Sequence, residues 1–240
     1  MNKFDLNIEI PDIELDLDLD FDVPVLDKGF KNRYRRSKIA KDLPSHRIKY
    51  SNARKLAEHV KLETGMRYDC IVAGNFIFGD FIEAFVTINN AKCIQMTVST
   101  LSLDQNNVDS FANMLNNGYV DELNLILSDY FFAHERRALI PYIYDKLDID
   151  NRFQLASAGS HTKIVLFETL GGKKIVIHGS ANLRSSSSIE QFVIEENPDV
   201  YDFHLDYHMR IVEEYKTINK DIKRNRSLRG KKLWEVIEKL

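Results

Sequence analysis

His161 and Lys163 stand two residues apart at the head of an apolar run, 162–168. Extended chain alternates sides with a period of two, so both side chains fall on one face. A second apolar run, 173–178, follows Thr169–Gly172, and Gly171 and Gly172 suit the turn of a hairpin. That run leads into Gly179, Ser180, Ala181 and Asn182. Pairing of the two runs returns the end of the second to the start of the first. Ser180 and Asn182 then come beside His161 and Lys163. A nucleophilic imidazole, a cation and two short polar groups in one pocket suit a phosphoryl group. His161 would attack phosphorus, while Lys163 and Asn182 hold the non-bridging oxygens and preorganised donors meet the charge.

The order His161-Thr162-Lys163, hairpin, Gly179-Ser180-Ala181-Asn182 resembles the HxK…GSxN signature of the phospholipase D superfamily. The resemblance covers roughly residues 68–205. It implies an α/β fold built on a mixed central sheet flanked by helices. It also implies catalytic roles for His161, Lys163, Ser180, Asn182 and Glu190, the last fixing the imidazole of His161 from ten residues beyond Ser180. Two departures stand out. The family's Asp five residues after the lysine is Glu168 here, and the hairpin is lengthened by residues 169–174. Only one HxK occurs, as in the small bacterial nucleases of the family that work as homodimers. The resemblance thus implies a two-chain site, a phosphohistidine intermediate and no metal or other cofactor. His46, His59, His134, His178, His204 and His208 read as surface or packing residues.

The elements that must carry this motif follow from periodicity. Apolar runs at 68–78, 92–98, 122–127 and 152–156 alternate with helical patterns at 80–88, 107–116 and 133–147, which argues for α/β layering. A helix is expected over 51–64 with Ser51 or Asn52 as cap, and another over 198–219. The latter carries Val200, Phe203, Tyr207, Ile211 and Tyr215 on one side. A short amphipathic helix is expected over 233–240. Cys70 and Cys93 lie in apolar runs and read as buried thiols. The domain division expected is an acidic tail 1–30, a basic and partly helical segment 31–67, the phospholipase D-like domain 68–205, and a basic helical extension 206–240.

The 240 residues carry a net charge of only −3, which looks unsuited to a polyanionic partner. The charge is blocked, however: −7 over residues 1–30, +9 over 31–67, −11 over 68–215 and +6 over 216–240. The basic blocks suit a nucleic-acid backbone, with Arg33, Arg35, Arg36 and Lys38 as substrate-binding candidates and Tyr34 as a stacking face. In the acidic tail Ile13, Leu15, Leu17, Leu19 and Phe21 alternate with acids, the pattern of a strand once it has a surface to bind. The expectation is that it covers a basic groove or docks on a sheet edge, its own or a partner's. No secretory signal and no transmembrane run is seen, so a cytoplasmic protein without membrane contact is expected. A metal-independent nuclease is the leading reading. A non-catalytic nucleic-acid-binding or assembly protein of a phage or mobile element is the first alternative, and a lipid phosphodiesterase or phosphatidyltransferase the second.

Overall fold

The computed structural model describes residues 46–49, 52–73, 76–184 and 188–217. The acidic tail, the four basic candidates Arg33, Arg35, Arg36 and Lys38, and the helix expected over 233–240 lie outside the described residues.

The described residues form one eight-stranded mixed sheet with helices on both faces. In chain order the elements are β1 (His46–Lys49), α1 (Ala53–His59), β2 (Arg67–Val72), α2 (Phe78–Ile88), β3 (Cys93–Thr100), α3 (Gln105–Asn116), β4 (Val120–Ser128), α4 (Asp129–Glu135), α5 (Leu139–Leu147), β5 (Phe153–Ala158), β6 (Ile164–Thr169), β7 (Lys174–Gly179), β8 (Glu190–Glu196) and α6 (Pro198–Tyr215). The spatial order is β1-β2-β8-β7-β6-β3-β4-β5. β3, β4 and β5 run parallel, β6, β7 and β8 follow as antiparallel neighbours, and β2 closes against β8. The C-terminal ends of β2, β3, β4, β5 and β7 therefore share one edge of the molecule with the N-terminal starts of β6 and β8.

Local signals explain the boundaries. Asn52 caps α1 by accepting from the Lys55 N–H at 3.1 Å. Asp104 and Asn107 cap α3 reciprocally. Asn197 caps α6, and Pro198 occupies its first turn, where no N–H is needed. The single helix expected over 133–147 is two, α4 and α5. Pro141 has no N–H for the carbonyl of Arg137 and its ring collides with that carbonyl, so the chain breaks before Leu139 and restarts with Pro141 in the first turn of α5.

The larger core lies on the face covered by α1, α2, α3 and α5, with Phe81, Phe85, Phe111, Phe132, Phe153 and Phe167 among its fully buried side chains. Leu56, Ala57 and Val60 belong to it, so the core takes in residues well before position 68. Cys70 and Cys93 are buried free thiols, and burial pushes each up to about 12. Four strand spacings separate β2 from β3, roughly 19 Å, which no disulfide spans.

Two elements escape the sequence patterns. β1 is four basic-rich residues, HRIK. β8 reads EQFVIEE, an apolar triplet among acids, yet it is a central strand. Its acids are tolerated because they are paired. Glu195 accepts from His178 Nε2 at 3.1 Å and from Asn197 at 3.2 Å, with Arg67 at 3.8 Å, and Glu196 accepts from the Gly65 N–H at 2.7 Å. Burial raises the Glu195 pKa, but His178, Asn197 and Arg67 outweigh it and hold the carboxyl below its usual range.

The second face is covered by α6 alone. Tyr201, His208, Ile211 and Val212 are buried, and Val200, Tyr207, Ile211 and Tyr215 of the expected stripe all pack on this face, with Phe203 alone of the five outside those clusters. The apolar pattern does not include His208, a polar residue that sits completely buried on the same helix. Burial pushes His208 down to about 4; burial and the neighbouring His178 push His204 to about 4 as well. An unfolded histidine titrates near 6.5. Between these values the unfolded chain binds more protons than the folded one. This stabilisation is complete above pH 6.5 and is lost as pH falls toward 4, by at most about 1.4 kcal/mol per pH unit for each ring. Urea midpoints should therefore fall steeply from pH 7 to pH 4.5, and His208→Gln should flatten the slope. A wild-type midpoint independent of pH would contradict the burial of these rings.

Candidate phosphoryl site

The hairpin joins β6 and β7 in the register Ile164↔His178. Its turn is closed by the Thr169 N–H donating to the Lys173 carbonyl at 2.9 Å, and Gly172 takes the left-handed conformation at φ +81°. At the open end the Gly179 N–H donates to the Lys163 carbonyl at 3.4 Å. This bond extends the ladder past the end of β6 and sets the His161–Lys163 triplet against the Gly179–Asn182 loop.

The triplet keeps strand alternation. Thr162 is on the α6 side, in line with Ile164 and Leu166, while Val165 and Phe167 point to the larger core. His161 is exposed and Lys163 half-buried, with Lys163 Nζ donating to the His161 carbonyl at 3.0 Å.

Gly179 is required sterically. A Cβ at this position would lie 2.6 Å from Phe192 Cα and closer still to the Gln191 carbonyl. The backbone of β7 can therefore press onto β8 only with glycine here. Ser180 is consequently fixed on both sides: its N–H donates to the Gln191 carbonyl at 2.9 Å, and its Oγ accepts from the Gln191 N–H at 3.1 Å. The Ser180 hydroxyl donates to Glu190 Oε2 at 2.5 Å. Glu190 thus meets Ser180, and among the described residues no hydrogen bond joins it to the His161 ring. Asn182 is half-buried, with Oδ1 shielded from solvent and lacking a hydrogen-bond partner among the described residues. Past Asn182 the chain is tied down by the Leu183 N–H to Thr100 Oγ1 and the Arg184 N–H to the Ser102 carbonyl, both at 3.4 Å.

Beneath this loop Phe76, Phe78, Phe81 and Phe192 pack together, with Phe78 and Phe192 centroids 4.7 Å apart. A small, shallow cleft, partly open to solvent, lies over them and is lined by Asn182, Arg184, Ser188 and Glu190 as well as Phe76 and Phe78. The Asn182 amide, the Arg184 cation and the Glu190 carboxylate therefore line a cleft where the parallel strands end, the usual ligand position on an open α/β sheet. Arg184, Thr162 and Ser99 were not singled out from sequence. Alternation alone already turns Thr162 away from His161 and toward the opposite face.

The chain resembles phospholipase D family members. Nuc from Salmonella typhimurium, a phospholipase D family member, matches with a TM-score of 0.42 and 16% identity over 55% of this chain and 88% of its own. NucT from Helicobacter pylori matches with a TM-score of 0.46 and 12% identity over 63% of this chain and 99% of its own. Phosphatidylserine synthase from Haemophilus influenzae matches with a TM-score of 0.45 and 10% identity over 72% of this chain and 44% of its own. No protein-family model matches the sequence, and no curated protein does. No helix among the described residues is long and apolar enough to cross a membrane.

The contact between β7 and β8 gives a direct check on this geometry. Gly179→Ala should force the strands apart and cost about 1–3 kcal/mol, the usual penalty for overpacking, read as a lowered urea midpoint. An unchanged midpoint would contradict the close approach.

Proposed function

We propose that the protein is a metal-independent phosphodiesterase, a nuclease that works as a homodimer through a phosphohistidine. The observation that carries this reading is the Gly179–Lys163 backbone bond, which brings the HxK triplet to the GSxN loop.

In the proposed reaction His161 Nε2 of one chain attacks phosphorus, so an N–P bond forms while the bond to the leaving oxygen breaks. The leaving oxygen takes a proton from the His161 ring of the second chain. That ring, now neutral, accepts a proton from water. The water oxygen attacks phosphorus, and the N–P bond breaks to regenerate free His161. Lys163 and Asn182 of both chains hold the non-bridging oxygens, and their charge and N–H donors offset the negative charge that builds there. Ser180 assists, and Glu190 acts through its hydrogen bond to Ser180. The exposure of His161 supports a two-chain site, because a second histidine has room to approach it. The presence of a single HxK in the chain supports the same reading.

Nucleic acid is favoured as substrate by the basic blocks at 31–67 and 216–240, which include Arg33, Arg35, Arg36 and Lys38. One observation favours a binding role without catalysis. Glu190 is committed to Ser180, which leaves the His161 ring without the carboxylate that the family resemblance implies.

Wild-type protein should cut DNA or RNA in excess chelator and sediment as a dimer at micromolar concentration. His161→Asn should lower cleavage at least 1,000-fold and leave nucleic-acid binding within a factor of about three. Binding without cleavage by the wild type would favour the assembly role. Cleavage retained by His161→Asn would overturn the mechanism.

A further inference from the structure

The α6 face holds a chain of hydroxyls, running from half-buried Ser160 and Thr162 to buried Ser99, that the reaction above does not use. His208 is completely buried and Ser99 is 2% exposed. His208 Nδ1 lies 2.7 Å from the His204 carbonyl, which can only accept, so the proton is on Nδ1. His208 Nε2 is then an acceptor, and it lies 2.9 Å from Ser99 Oγ. The Ser99 hydroxyl accordingly donates to His208. Ser99 Oγ in turn accepts from Thr162 Oγ1 at 2.9 Å. With its own hydrogen committed to Ser99, Thr162 Oγ1 accepts from Ser160 Oγ at 2.8 Å. Ser160 Oγ also receives the Thr162 N–H at 3.2 Å, and the Ser160 N–H donates to the Ala158 carbonyl at 2.7 Å. Each hydroxyl has one proton and each is spent in the same direction, from Ser160 to His208.

We propose that this hydroxyl chain is the anchor of the HxK triplet, and that His208 on α6 is a positioning residue for His161 and Lys163, acting through Ser99 and Thr162. The inference rests on the phosphodiesterase reading for its functional consequence, but the anchor itself is a property of the fold. Thr162 lies between His161 and Lys163 and alternates to the opposite side of the strand. Fixing its hydroxyl to the buried Ser99 turns the two flanking side chains to the opposite side. The segment needs such a device, because residues 159–163 precede β6 and the ladder bond nearest to them is the long one at Lys163. A neutral imidazole suits the terminus of the chain. It offers one donor and one acceptor, and both are used, whereas an aliphatic residue would leave the buried Ser99 hydrogen without its acceptor.

The test uses full-length protein and three substitutions: Ser99→Ala and Thr162→Val, which break the chain, and Thr162→Ser, which keeps it. Hydrogen exchange is read at the Ser160 and Thr162 amides, with 165–168 in the interior of β6 as internal reference. Ser99→Ala and Thr162→Val should exchange at least ten-fold faster at 160 and 162 with 165–168 unchanged, and Thr162→Ser should stay within about three-fold of wild type. On a nucleic-acid substrate the two chain-breaking variants should lose 10- to 100-fold in kcat with KM within a factor of three, and Thr162→Ser should restore most of it. Unchanged exchange at 160 and 162, or equal acceleration at 165–168, overturns the anchor. If wild-type protein cuts no substrate, the phosphodiesterase reading fails separately and the exchange result alone decides the anchor.

Discussion

Gly179 lies against β8 at a distance that leaves no space for a side chain. Everything at the candidate site depends on that contact. It lets the end of β7 lie flat on Gln191 and Phe192, and this places the Gly179 N–H on the Lys163 carbonyl and catches Ser180 between Gln191 and Glu190. Three strand ends are joined within a few residues, and each contributes polar groups to the same place. A substituent at Gly179 would separate β7 from β8 and release Ser180, Asn182 and Lys163 together. The glycine of the GSxN sequence is thus a packing requirement before it is a chemical one.

The opposite face of the sheet explains how such a site is kept in place. A single helix covers it, and the groups it buries include Thr97, Ser99, Asn124, Gln154 and His208. Burying polar groups is costly unless each finds a partner. Here the cost is offset by pairing: Ser99 with Thr162 and His208, Asn124 with Thr97, and Glu195 with His178, Asn197 and Arg67. An apolar interface would leave α6 more freedom of register on the sheet. Directional bonds from His208 to Ser99 on β3 and from Tyr207 to Thr162 in the HxK triplet couple the position of this helix to the position of the site.

Much of this was legible in the sequence. The alternation of apolar runs with helical patterns announced the α/β sheet, and the two apolar runs around Gly171 and Gly172 announced the hairpin of β6 and β7. What escaped has specific causes. β8 was hidden because its acids look solvent-bound, while Glu195 and Glu196 are neutralised by partners distant in sequence, His178, Arg67 and the Gly65 N–H. The break between α4 and α5 was hidden because their apolar positions remain in phase across it, so the sterics of Pro141 had to be weighed against the pattern. The stripe on α6 was read from apolar residues alone, so the buried His208 was missed while Val200, Tyr207, Ile211 and Tyr215 pack as expected. Glu190 was matched to a role at the imidazole on spacing, whereas the local fold of β7 on β8 brings it to Ser180.

The central claim is that His161, Lys163 and Asn182 form one oxyanion-binding centre at the end of β6 and β7. A crystal structure of the protein grown with tungstate tests it most directly, together with the proposed homodimer, because tungstate has the charge and tetrahedral shape of a phosphoryl group. The account predicts one tungstate held between the two His161 rings, with Lys163 Nζ and Asn182 of each chain within hydrogen-bond distance of its oxygens. Tungstate bound elsewhere, or a His161 ring turned away from an empty loop at millimolar tungstate, would contradict it.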